Sequence, residues 1–188
     1  MELAPALIAL IGVLIGSYIA HSLSVRRERE NRIASLKVAE LNLRREKLEE
    51  LYALLARWDL SMSSVSITWM MCMQGKFSYN DALDQITTSQ RKDIDFFRTD
   101  MLIDVYFPEG RKSYDSLMDH RTRVNRLQAD FRRFYLQAGE GSLYPYLQRY
   151  VEASEELEKH ALLVKNEVVS QLRQTTPSTL LPVEALRR

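Results

Sequence analysis

The chain has 188 residues, a formal net charge of +1 at pH 7, 27% charged residues and 46% hydrophobic ones; this balance suits a folded domain behind an anchor and argues against a nucleic-acid partner. Its length allows one domain of ordinary size. A single cysteine, Cys72, excludes an internal disulfide framework and a CxxC metal site, and fits a reducing compartment.

The first predicted element is a transmembrane helix. Leu3 to Ala20 contains no charged residue, and the uncharged run extends to Val25 before the basic cluster Arg26, Arg27, Arg29 and Arg32. A helix of about 20 residues crosses a hydrocarbon core of about 30 Å. A cleaved signal peptide fits less well, because Glu2 stands where a positive charge is wanted and Tyr18 occupies the −3 position of a cut after Ala20. The arginines follow the span and no Lys or Arg precedes it. The positive-inside rule therefore predicts a single-pass protein of the plasma (cytoplasmic) membrane, N-terminus outside and C-terminal domain cytoplasmic. Arg26, Arg27, Arg29 and Arg32 would also meet lipid headgroups, although Glu28 and Glu30 dilute the cluster. Gly12, Gly16 and Ala20 recur every fourth residue and form a small-residue face suited to close helix–helix approach. That face predicts a homo-oligomer.

No glycine or proline interrupts the chain between Gly16 and Gly75, so the span is expected to continue into the cytoplasm as one helix. Residues 26–45 form a charged stalk, with Glu28/Arg32 and Glu40/Arg44 at i,i+4 spacing. As a helix it would hold the domain beyond it roughly 30 Å from the bilayer. From residue 46 an apolar seam begins: Leu48, Leu51, Leu55, Trp58, Met62, Val65, Trp69 and Cys72 follow the three-and-four spacing of one helical stripe.

Gly75 marks a turn, and Ser78 or Asn80 can cap a second helix reaching about Tyr106, with a weak stretch at Thr87-Thr88-Ser89 where a kink could fall. Pro108 suits the first turn of a third helix. Within Val105-Tyr106-Phe107-Pro108-Glu109, an aromatic helix end meets a proline helix start. Gly139-Glu140-Gly141 ends the third helix, and Ser142 with Pro145 opens a fourth. From Thr175 two prolines and mixed residues predict a flexible tail. The expected fold is all-α: an N-terminal transmembrane anchor (1–25), a helical stalk (26–45), a cytoplasmic antiparallel four-helix bundle (46–174) and a tail (175–188). The bundle helices would be 46–74, 79–106, 108–138 and 143–173. Six aspartates on the second helix would face a third helix with seven Lys/Arg, a minor aid to pairing.

Chemistry-bearing motifs are absent from the sequence: no GxGxxG, Walker loop, HExxH, GxSxG or di-iron ExxH pair occurs. His120 and His160 lie at equal distance from Glu140, so a hairpin places them at one level, near Asp119 and Glu156. Lacking dedicated ligand spacing, they predict boundary residues rather than a metal site. Met70-Met71-Cys72-Met73 offers soft ligands, but consecutive helical residues diverge, so core packing is expected. No catalytic residue, cofactor or metal is expected, and no enzyme. The expected function is a membrane-anchored scaffold or adaptor that binds lipid through its anchor, presents its bundle to an unidentified protein partner and self-associates. The alternative is a membrane-perturbing effector of toxin or immunity type, for which the span offers only Ser17, Tyr18 and His21 as polar residues.

Overall fold

The computed structural model describes residues 3–89, 95–138, 144–145 and 147–175; the side chains of residues 3–16, 19 and 20 lie outside that description. Among the described residues there are five α-helices and one 3-10 turn: α1 (Leu3–Met73), α2 (Tyr79–Ser89), α3 (Phe96–Tyr106), the 3-10 turn Pro108–Gly110, α4 (Arg111–Ala138) and α5 (Leu147–Thr175). The chain divides into two compact units, Met1–Leu43 and Arg44–Arg188.

The first unit is the N-terminal part of α1. Residues 21–40 are exposed throughout, including Arg26, Arg27, Arg29 and Arg32, and Arg26 Nε donates to Glu30 at 3.1 Å. Among the described residues no helix is long and apolar enough to cross a membrane. Of the uncharged stretch from Leu3 to Ala20, only Ser17 and Tyr18 have described side chains, so the expected span rests on sequence alone. The association face Gly12, Gly16 and Ala20 lies outside the described side chains as well.

The second unit is a helical bundle. Here α1 buries Leu48, Leu51, Leu55, Trp58, Val65, Trp69 and Cys72, with Met62 partly buried against them. On α5 the buried apolar set is Tyr150, Ala153, Leu157, Ala161, Val164 and Val168, again at three-and-four spacing, with Thr175 buried beyond it. The two alanines leave room for neighbouring helices to approach.

Polar contacts set the helix directions. Ser113 Oγ donates to Glu167 at 2.8 Å, the His120 and His160 rings stack, and Gln128 Nε2 donates to the Tyr150 hydroxyl at 3.1 Å. Advancing along α4 thus means retreating along α5. Arg44 meets Glu109 at 2.7 Å and Arg98 grips Glu50 at 2.6 and 2.8 Å, so α3 runs antiparallel to α1. Lys165 pairs with Asp59 from α5. At one end, Trp69, Tyr79, Phe131, Tyr135 and Tyr144 form an aromatic cluster with ring centroids 5.1–6.2 Å apart.

Two glycines are required by geometry. Gly75 has φ 70, and the bonds Lys76 N–H to Met71 O and Gly75 N–H to Cys72 O, both 2.9 Å, close a Schellman cap on α1. A Cβ on Gly110 would lie 1.7 Å from the buried Phe107 ring. Gly110 lets the 3-10 turn fold beneath that ring.

Three boundaries differ from the sequence expectation. The second bundle member is two eleven-residue helices, not one. Ser78 caps α2 by accepting from Asp81 N–H at 3.1 Å, and Asp95 separately caps α3 by accepting from Arg98 N–H at 2.9 Å. A fresh N-cap inside the expected helix starts a new one. The third helix begins with a 3-10 turn at Pro108 before α4 starts at Arg111. The last begins at Leu147 rather than 143, because Tyr144 is held outside it: its N–H donates to Met73 O at 3.2 Å and its ring packs edge-on against Phe131 and Phe134. The expected cap Ser142 lies outside the described residues.

Candidate functional site

Within the bundle, α1 and α5 fail to close completely and leave an open cleft of about 330 Å³. Its walls are Trp58, Met62, Ser63, Ser66, Ile67 and Met70 from α1, and Val151, Ser154, Glu155, Leu157 and Glu158 from α5, with Asp59 at the edge. The cause lies in side-chain size. Ser63 and Ser66 on one helix and Ser154 on the other are too short to fill the space between two backbones, while Met62 and Met70 supply flexible, polarisable walls.

The cleft is mainly apolar inside, with the serine hydroxyls and the Trp58 indole as its polar groups, and acidic at its rim. Trp58 and Leu157 are 4% and 3% exposed, whereas Glu155 and Glu158 stand exposed and take part in no ion pair among the described residues. The acids at the helix seams are engaged instead. Asp59 pairs with Lys165, Glu109 with Arg44, and Glu50 with Arg98 and Lys47. The Arg98 guanidinium, followed by Lys47, holds the Glu50 carboxyl down at about 2. The indole Nε1 of Trp58 is buried without an acceptor among the described residues, a local cost of about 1–3 kcal/mol at the cleft wall. Apolar residues continue on the outer surface: Leu60 and Ile67 of α1 and Leu162 of α5 are more than half exposed, and Leu162 shares the helical face of Glu155 and Glu158.

Other sequence-flagged residues fall elsewhere. Trp69 and Cys72 are core, Met73 is fully buried and Met70 partly so. Burial, with the Asp81 charge second, pushes the Cys72 thiol up to about 11, so it stays protonated at neutral pH. His120 and His160 do meet, their rings stacked with centroids 4.0 Å apart. Because the Glu156 carbonyl can only accept, the 2.8 Å contact from His160 Nδ1 places the proton on that nitrogen. His120 Nδ1 is buried and has no partner among the described residues. Among the described residues no group of three or more His, Cys, Asp or Glu is arranged to hold a metal ion.

Burial, and next the neighbouring His160, depress the His120 pKa; Arg123 adds to this while Glu156 and Asp119 oppose it. A histidine depressed in the folded state binds fewer protons there than in the unfolded chain. The contribution of His120 to stability is therefore fully present above the unfolded value of about 6.5 and is lost as pH falls below it. Chemical denaturation at about pH 7.5 and about pH 5.5 should show a drop that shrinks in His120→Phe, which keeps a ring against His160 without the charge. An equal drop in both proteins would assign the pH dependence to other groups.

The fold and cleft define a helical bundle protein with a mainly apolar, acid-rimmed groove. Comparison with family models, curated proteins and solved structures gives no significant match.

Proposed function

We propose that this protein is a membrane-anchored helical scaffold or adaptor, with its N-terminus outside and its bundle presented to protein partners in the cytoplasm. The observation that carries the reading is the uncharged stretch Leu3–Ala20 followed by Arg26, Arg27, Arg29 and Arg32, which supplies both a span and its direction. Two further features support it. Residues 21–40 form an exposed, highly charged helix, as a stalk requires, and the second unit offers a groove beside exposed Leu60, Ile67 and Leu162. The face Gly12, Gly16 and Ala20 is the proposed site of self-association within the membrane.

Reconstitution of the full-length protein into dye-loaded vesicles tests the proposal against its alternative. An adaptor stays with the vesicles through an alkaline wash and leaves the dye inside. Release by the wash would remove the anchor from the account, and dye escape would move the protein to the membrane-perturbing class.

A further inference from the structure

We infer that the α1–α5 cleft is the docking groove for an amphipathic helix of a partner protein that carries lysine or arginine beside its apolar face. The inference rests on the adaptor reading and specifies the chemistry of its partner. Within the bundle, three acids that lie between helices are each matched by a cation from another helix, Asp59 by Lys165, Glu50 by Arg98 and Glu109 by Arg44, and Glu167 accepts from the Ser113 hydroxyl. Glu155 and Glu158 face the cleft and are matched by nothing among the described residues. The unmatched charge sits where another helix would lie. Complementarity then calls for a basic occupant, which would steer in by electrostatics and settle on Met62, Met70 and Leu157.

The dimensions suit a helix. From Val151 to Glu158 the wall runs seven residues, about 10 Å or two helical turns, the span over which anchors at i, i+4 and i+7 meet a groove. Exposed Ile67 on one lip and Leu162 beyond the other extend the apolar surface past the cleft itself. Both lips therefore favour a longer apolar face over a small cation.

The test uses the full-length protein in nanodiscs of zwitterionic lipid and two labelled synthetic helical peptides of identical periodicity, one of leucine and lysine, the other of leucine and glutamate. Fluorescence anisotropy should show the lysine peptide binding at least about tenfold tighter, with the preference weakening as salt is raised. The double variant E155K/E158K should abolish or invert that preference. Both glutamates are exposed, so the variant keeps its fold, and an unchanged denaturation midpoint checks this. A second variant, Ser154→Leu, fills the cleft and should weaken binding without reversing the charge preference. Equal affinity for the two peptides, or a lysine preference that survives E155K/E158K, overturns the inference. So does a change of oligomer size in E155K/E158K with peptide preference intact, which would give the groove to a second copy. Crosslinks from the bundle to a foreign protein that avoid the cleft would leave the adaptor reading standing and remove this one.

Discussion

Replacing Leu55 with aspartate is expected to unfold the bundle or bring it to the edge of unfolding. Leu55 is 3% exposed and lies with Trp58, Phe96, Thr99, Tyr114 and Met118 around a small internal gap. Removing the leucine forfeits about 2–5 kcal/mol of burial and packing, and the carboxylate adds a desolvation cost of several more. Against a total stability of about 5–15 kcal/mol, that loss is decisive. Both tryptophans of the chain, Trp58 and Trp69, lie in the α1 seam, so fluorescence reports on the bundle alone. The variant should show red-shifted emission without denaturant, or a sharply lowered midpoint. Ile33→Asp, at a position 58% exposed, should stay within about 0.5 kcal/mol of the parent. Equal stability of Leu55→Asp and the parent would contradict the packing described for α1.

The second large effect belongs to the anchor. Ile11→Arg combined with Leu14→Arg places two cations in the middle of the uncharged stretch. Each arginine near the centre of a span costs about 2.5–3.5 kcal/mol on insertion scales, enough together to reverse membrane partition by several orders of magnitude. Fractionation should move the protein from the membrane pellet to the supernatant, while tryptophan fluorescence reports an intact bundle. A variant that stays in the pellet would show that membrane attachment, if any, comes from elsewhere in the chain.

Where the sequence announced structure, it did so through periodicity and punctuation. The α1 seam is legible because three-and-four spacing runs from Leu48 to Cys72 with no breaker, and Gly75 stands where the left-handed cap closes the helix. The meeting of His120 and His160 followed from counting outward from Glu140, since helices of equal rise meet at equal distance from their turn. The break between α2 and α3 was harder to see. Thr87-Thr88-Ser89 signals weakness, and Thr88 Oγ1 indeed bonds back to Asp84 O at 2.8 Å, but an Asp95 cap competes with a helix that could equally run through it. The start of α5 depended on tertiary contacts of Tyr144, which no local pattern encodes.

The cleft was not legible at all. Apolar spacing says which side chains turn inward, but not where two inward faces leave a void. Ser63, Ser66 and Ser154 come from helices about ninety residues apart, and the gap exists only once they are opposite each other. The serine-rich run Ser61-Met62-Ser63-Ser64-Val65-Ser66, short side chains in the middle of a packing seam, was the available hint. Glu155 and Glu158 read as ordinary surface acids until their cleft-side position is known.

The adaptor account is tested most directly by crosslinking and mass spectrometry of the full-length protein in its native membrane after an alkaline wash. It predicts that the chain remains in the washed membrane and that exposed lysines of the bundle, Lys112 and Lys159 among them, yield reproducible crosslinks to a foreign protein. Loss of the chain in the wash, or crosslinks confined to copies of itself, would contradict it.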